Sequence, residues 1–328
     1  MELRTTFKIE PSPYKITYDD RVIFIGSCFA SSIGFQIELG KIPVMINPAG
    51  AVFNPVSVCN TLDTITTGKE FIQDDLYFYD GNWLSFYHYT DFSSDDPVKV
   101  LEKINNKSKE ASDFLKKSKF LFITFGTARI YRWENTGLVV SNCHKIPSAR
   151  FRSELLSVNE IVVLWTKQLD RLSSLFPQLN VVFTISPVRH WKDGAHGNQV
   201  SKSVLFLAVE ELLNHPSHPQ YFPAYELVMD DLRDYRFYND DMLHPSSSAI
   251  NYIWEAFSAC YIDDKALNIR NNVIKITKAC SHRLNTDSVV KIKWFAEQML
   301  KQISEIEIKV PTIDLSSERK YFLNMLNR

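Results

Sequence analysis

The first strongly patterned stretch is "RVIFIGSCFASSIGFQIELG", Arg21 to Gly40. Four consecutive apolar residues, Val22 to Ile25, break into Gly26-Ser27-Cys28, and apolar positions then recur at Phe29 or Ala30, Ile33 and Ile37. A short unbroken apolar run is the mark of a strand buried on both faces, and the three-to-four spacing after it is that of a helix. The strand pattern returns at Phe120 to Thr124 and at Val181 to Ile185. The second run ends in Gly126-Thr127-Ala128-Arg129 and the third in Ser186-Pro187-Val188-Arg189-His190. Between the strands, spacing predicts helices over Ser31 to Leu39, with Gly40 as C′ stop, Val98 to Lys117, Val158 to Phe176 and Lys202 to Asn214. Strand alternating with helix favours a parallel sheet in an α/β domain. In open sheets of this kind ligands bind beyond the carboxyl ends of the strands, so the three polar tails are expected to converge on one crevice.

Two stretches interrupt the alternation. "RIYRWENTGLVVSNCHK", Arg129 to Lys145, reads as a hairpin turning at Glu134-Asn135-Thr136-Gly137, and the aromatic "DLYFYDGNWLSFYHY", Asp75 to Tyr89, as another turning at Asp80-Gly81. The second could roof a site, although packing alone would account for its aromatics. After Phe257 the chain becomes charged and helical: Ile292, Phe295, Met299, Ile303 and Ile306 recur at steps of three or four, with Thr286 or Asp287 as candidate N-cap. The expected organisation is a main domain over residues 1–260 and a helical extension over 261–328, the latter packed on the domain or on a partner copy.

Composition narrows the function classes. A 328-residue chain with 45% apolar residues can bury a large core, and 37 basic against 38 acidic side chains leave no field to recruit nucleic acid or an anionic membrane. The N-terminus lacks the apolar centre of a secretory signal and no run approaches the roughly 20 apolar residues of a membrane span, so the expectation is a cytoplasmic protein. Cys28, Cys59, Cys143, Cys260 and Cys280 are scattered without a CxxC pair, as reduced thiols are. His190, His196, His215, His218 and Cys143 have no metal-site spacing, and no GxGxxG, Walker or GxSxG signature occurs, so neither a metal nor a cofactor is expected.

A serine at a strand-to-helix joint sits at the positive end of the helix, where developing negative charge is favoured. Ser27 is therefore a candidate nucleophile, and it needs a base. "NDDMLHPSSSAINYIWEAF" supplies one: Asp241 and His244 are three apart on a turn before a helix that Pro245 or the serines would open. That spacing brings a carboxylate to one imidazole nitrogen and leaves the other for the serine. Alone, each signal is an ordinary turn or cap; together they match an order of parts. Cys28 is a rival nucleophile, but adjacent residues at such a joint point different ways. Cys143-His144 meets the same objection on a strand. Arg189, with His190 and Lys145, is a candidate anion-binding group for substrate, its fork suited to carboxylate or phosphate.

"FIGSCFA", "NPAG", "FGTARIY", "VVSNCHKIP", "SPVRHWKDG", "NQVSK", "YFPAYE" and "RDYRFYNDDMLHP", occurring in order from Ile23 to Phe257, resemble the GSCFA-domain family, itself similar to the SGNH/GDSL esterases and acylhydrolases. The resemblance implies a flavodoxin-like three-layer α/β/α sandwich, SGNH-hydrolase-like, with Ser27 as nucleophile and Asp241 and His244 as the DxxH pair. It places Gly50 of "NPAG" as a backbone oxyanion donor beside the Ser27 N–H. The sequence departs from the wider pattern in having GSC for GDS and in lacking GxND, where "FGTA" stands instead; Thr127 or Asn142 is left to complete the oxyanion hole. The expected activity is serine ester hydrolysis or acyl transfer, on a small-molecule or O-acylated carbohydrate ester. The competing expectation is a non-catalytic carbohydrate- or protein-binding module on the same scaffold, with oligomer contacts through the C-terminal helices.

Overall fold

The computed structural model describes residues 5–281 and 288–327. Its strands in chain order are β1 (Arg21–Gly26), β2 (Val44–Ile46), β3 (Tyr77–Tyr79), β4 (Asn82–Leu84), β5 (Ser118–Phe125), β6 (Arg129–Trp133), β7 (Val139–Val140), β8 (Phe151–Leu155), β9 (Asn180–Ile185) and β10 (Gln220–Tyr221). Five form the central sheet in the order β10-β9-β5-β1-β2, with every pairing parallel. The three runs that the sequence pattern singles out, β1, β5 and β9, are neighbours at its centre. They read as continuous apolar runs because both faces are covered: Ile23, Ile25, Leu121 and Phe183 feed one core, Val22, Phe24, Phe122 and Val182 the other. The edge strands β2 and β10 are too short to show a period and were not expected from the pattern.

The helices are α1 (Cys28–Glu38), α2 (Pro55–Thr67), α3 (Pro97–Leu115), α4 (Val158–Leu175), α5 (Gly194–Leu212), α6 (Ala224–Glu226), α7 (Ser247–Tyr261), α8 (Asp264–Ser281), α9 (Val289–Lys309) and α10 (Ser316–Leu326). Leu62, Leu115, Trp165 and Leu205 bring α2 to α5 onto one face of the sheet. Ile33, Ile37, Ile253 and Phe257 bring α1 and α7 onto the other, which completes three α/β/α layers. The last three helices share a core of their own around Val273, Ile276, Ile303 and Phe322. They dock on the sandwich through buried Arg270, which donates to the Gln36 carbonyl at the end of α1 and lies over the Trp254 ring at 4.2 Å.

Three local expectations need correction. Gly40 is not a left-handed stop: the left-handed residue is Lys41 (φ 58), and Gly40 is required because a Cβ would lie 2.4 Å from Arg270 Cγ. The helix expected from Lys202 starts at Gly194 and contains both Gly194 and Gly197; a Cβ on Gly197 would press on Asp193 at 3.1 Å. Cys143-His144 lies on a turn after β7 rather than on a strand, with left-handed backbone at His144 (φ 49) and Lys145 (φ 60). The N-cap expected at Thr286 or Asp287 lies outside the described residues.

Both excursions occur, β3-β4 as a hairpin and β6 in a three-stranded antiparallel sheet ordered β7-β6-β8. Tyr77 and Phe86 each pack on Trp133 with ring centroids 5.1 Å apart, so the aromatics of the first excursion form a joint core with the second. Among the described residues no helix is long and apolar enough to cross a membrane.

Candidate active site

The carboxyl end of β1 is pinned from three sides. Gly26 has φ +149, and a Cβ there would fall 2.2 Å from the Thr124 carbonyl oxygen of β5, so only glycine lets the two strands close. Asn47, after β2, accepts the Gly26 N–H on Oδ1 at 2.8 Å and donates from Nδ2 to Ser31 Oγ at 2.8 Å. Ser27 then caps α1, its Oγ accepting the Phe29 N–H at 3.3 Å, and is only 2% exposed. The serine therefore stands at the helix N-terminus in a fixed orientation.

Asp241 and His244 sit together on a tight loop. Tyr238 pairs with Pro245 in an antiparallel bridge, and Asn239 N–H donates to the His244 carbonyl at 2.8 Å. Left-handed Met242 (φ 57) makes the turn, and Ser246 caps α7, which begins at Ser247. Asp241 Oδ1 accepts the backbone N–H groups of Leu243 at 2.8 Å and His244 at 2.9 Å; Oδ2 lies 2.6 Å from His244 Nδ1. Those two backbone donors, with the imidazole, pull the Asp241 carboxyl down to about 2, so it is anionic at any working pH. Nδ1 is thus the nitrogen engaged with the carboxylate, and among the described residues Nε2 makes no hydrogen bond. Nor does a hydrogen bond join the imidazole to Ser27 Oγ among those residues. The loop nonetheless lies within electrostatic reach of the start of α1, where the Asp241 charge acts on the Cys28 thiol.

Cys28 itself is half-buried, and burial pushes its thiol up, against the pull of the Phe29 and Cys28 N–H groups and of Lys202. A thiol held protonated is a poor nucleophile.

The backbone donors expected for the oxyanion are committed elsewhere. Ser27 N–H donates to Thr124 O at 3.3 Å, Gly50 N–H closes a turn onto Asn47 O at 2.8 Å, and Thr127 N–H donates to Phe53 O at 3.0 Å. The Thr127 hydroxyl lies 2.9 Å from Ser201 Oγ and accepts the Arg129 N–H at 3.0 Å. Asn142 accepts the His144 N–H at 2.7 Å and so holds its own turn. Gly50 is glycine for conformation: φ is +79 and a Cβ would lie 2.2 Å from that of Tyr89.

Arg189 stacks over the Trp191 ring at 4.7 Å. Burial pushes the hydroxyls of Tyr225 and Tyr238 up, against the opposing pull of the Arg189 charge, and Tyr238 opens the His244 loop. His190 turns instead to Asp193, Nδ1 to Oδ2 at 3.1 Å, with Asp193 also 3.4 Å from Arg129 Nε. Lys145 is exposed on the turn after β7. The group that sequence reasoning missed is Lys202. It is 1% exposed, and its Nζ donates to Gly126 O at 2.7 Å and Ser186 O at 2.5 Å, at the carboxyl ends of β5 and β9. Burial pulls it down to about 7. The signal was present: Lys202, Leu205, Val209 and Leu212 fall on one helical stripe, where a lysine is out of place.

With the strand-end serine, the DxxH loop and the "FGTA" strand end in place, comparison with known proteins is informative. The GSCFA family model matches residues 21–257. The chain belongs to the GSCFA family. The match runs from β1 into α7, so all of the GSCFA residues discussed above fall inside it and the helices from α8 onward lie beyond it. Among solved structures the GSCFA chain is similar to a carbohydrate esterase family 3 protein from Talaromyces cellulolyticus, at 9% identity and a TM-score of 0.35, covering 77% of this chain and 99% of that one. No curated relative matches the sequence.

Proposed function

We propose that this protein is a serine ester hydrolase or acyltransferase. The observation that carries the reading is the Asp241–His244 pair: a carboxylate fixed by two backbone N–H groups and an imidazole that keeps Nε2 open, with the Asp241 charge felt at Cys28, next in the chain to the helix-capping Ser27. In this mechanism His244 takes the Ser27 proton as Oγ attacks the ester carbonyl, then returns it to the leaving alcohol, while Asp241 holds the tautomer and balances the imidazolium. Water as second acceptor gives hydrolysis, and a hydroxyl gives transfer. Catalytic hydrogen bonds of this kind tighten as substrate binds, so in this mechanism the Ser27-to-His244 contact closes on the ester. Arg189, stacked on Trp191 and within electrostatic reach of Tyr225 and Tyr238, is the substrate-side cation, and the Trp191 ring beside it suits an acylated sugar.

The test is a fluorophosphonate probe followed by peptide mapping, with acetate release measured on a panel of acetylated sugars. Labelling at Ser27, lost in Ser27→Ala and retained in Cys28→Ala, supports the reading; labelling at Cys28 by a thiol probe with activity lost in Cys28→Ala would replace the nucleophile. A second reading, a sugar- or protein-binding module, is favoured by the occupied N–H groups at Ser27, Gly50 and Thr127. It predicts no labelling at Ser27 and saturable binding of unmodified sugar or a protein ligand.

A further inference from the structure

An ammonium has three N–H bonds, and Lys202 uses two of them on Gly126 O and Ser186 O. Among the described residues the third has no hydrogen-bond partner. Taking this cation out of water costs several kcal/mol, whereas two strand-end carbonyls need only a neutral donor; Ser201, one residue earlier, already serves the neighbouring Ala128 N–H at 2.7 Å. The charge therefore calls for a reason beyond fastening two strands. Its position supplies one. Gly126 lies two residues past Thr124, whose carbonyl takes the Ser27 N–H, and the Lys202 charge reaches Cys28, the first residue of α1. Ser27 and Lys202 are hidden to the same degree, at 2% and 1% exposure, and each is tied to the carboxyl end of β5. Of the neutral donors expected there, the Ser27, Gly50 and Thr127 N–H groups are occupied.

We propose that Lys202 is the cationic oxyanion donor of this site, its third N–H bond meeting the oxygen that becomes negative when Ser27 Oγ attacks the ester carbonyl. This rests on the esterase reading above. A fixed charge in a dry site stabilises that oxygen more in the tetrahedral state than in the ground state, so its effect falls on kcat. The group acts only when protonated, so kcat/KM declines on the alkaline side as Lys202 loses its proton.

The experiment compares wild type, Lys202→Met and Lys202→Gln on one small acetate ester across pH 5 to 10, with melting curves and fluorophosphonate labelling of Ser27. Expected are a fall in kcat of about 10²- to 10³-fold in Lys202→Met with KM changed little, a smaller fall in Lys202→Gln, and loss of the alkaline limb in both. Folded variants with kcat within a few-fold of wild type would overturn the proposal, as would losses that track melting temperature with the alkaline limb unmoved. If Lys202→Met does not fold, Lys202→Gln and the wild-type limb decide by the same criteria. A wild type that neither cleaves esters nor labels at Ser27 would instead remove the esterase reading and this inference with it; an active wild type with insensitive variants removes the inference alone.

Discussion

Burial of Lys202 makes a quantitative claim about stability that is independent of catalysis. In the unfolded chain a lysine holds its proton up to an ordinary value of 10.5, whereas in the folded protein Lys202 lets go at about 7. Between those two values the unfolded state binds one proton more than the folded state, so folding stability rises with pH and is lost as pH falls through 7. The slope approaches about 1.4 kcal/mol per pH unit, so from pH 7.5 to 9.5 Lys202 adds roughly 2 to 3 kcal/mol. Lys202→Met removes this slope. It also leaves Gly126 O and Ser186 O without their donor, at about 1 to 3 kcal/mol each, but that loss is the same at every pH. The discriminating quantity is therefore the wild-type-minus-variant difference, in which the other titrating groups largely cancel. Urea unfolding at four pH values, with m unchanged between the proteins, measures it. The difference should grow by roughly 2 to 3 kcal/mol over that interval. A flat difference would mean that the amine keeps its proton when folded, and the account of its burial would fail.

Three further outcomes follow from the same geometry. Asp241→Asn should fold normally and lower kcat on an ester substrate by roughly 10³- to 10⁴-fold, because an amide cannot hold the catalytic imidazole tautomer; steady-state kinetics beside a less active His244→Ala would check the order. Gly26→Ala should destabilise by about 2 to 4 kcal/mol in urea unfolding and abolish labelling at Ser27, because its Cβ would sit 2.2 Å from Thr124 O; a stable, labelled variant would show that β1 and β5 can part there. His88, buried against Ser85 Oγ at 2.9 Å, is held neutral down to about 3, so the folded state should lose stability as pH drops from 6.5 toward 3, by up to about 1.4 kcal/mol per pH unit; His88→Gln should flatten that acid slope in urea titrations.

What the sequence disclosed and what it withheld divide along a physical line. β1, β5 and β9 are legible because strands covered on both faces must be apolar throughout, and their adjacency follows from the alternation with helices. The DxxH pair is legible because its geometry is local: a three-residue spacing fixes Asp241 against His244 through two backbone N–H groups of the same turn. Arg270 and Gly40 were opaque, since a contact between residues so far apart in the chain leaves no periodicity; a glycine beside a helix end reads as a stop whether it bends the backbone or yields space to a guanidinium. The same holds for the oxyanion expectations. A family pattern can place Gly50 near a serine, but which carbonyl takes its N–H is decided by Asn47, whose left-handed φ of 43 and contacts to Gly26 and Ser31 have no signature beyond one asparagine before a proline.

Lys202 lies on the boundary between those classes, and it shows how such residues can be found. A helix stripe that buries Leu205, Val209 and Leu212 has no solvent to offer a lysine one turn earlier, so the pattern by itself forces a choice: the helix is wrongly drawn, or the cation is buried with partners. At the amino-terminal part of α5 the backbone acceptors that Lys202 meets are at the carboxyl ends of the strands that α5 packs on, Gly126 and Ser186. The parallel topology sends every such end to the same side as Ser27. A charged residue on the core stripe of the helix following a central strand is thus directed, by topology alone, toward the active edge of the sheet. At the start of a helix Lys202 would meet no conflict with that stripe; the conflict arises because α5 begins at Gly194 and carries Lys202 onto the buried stripe.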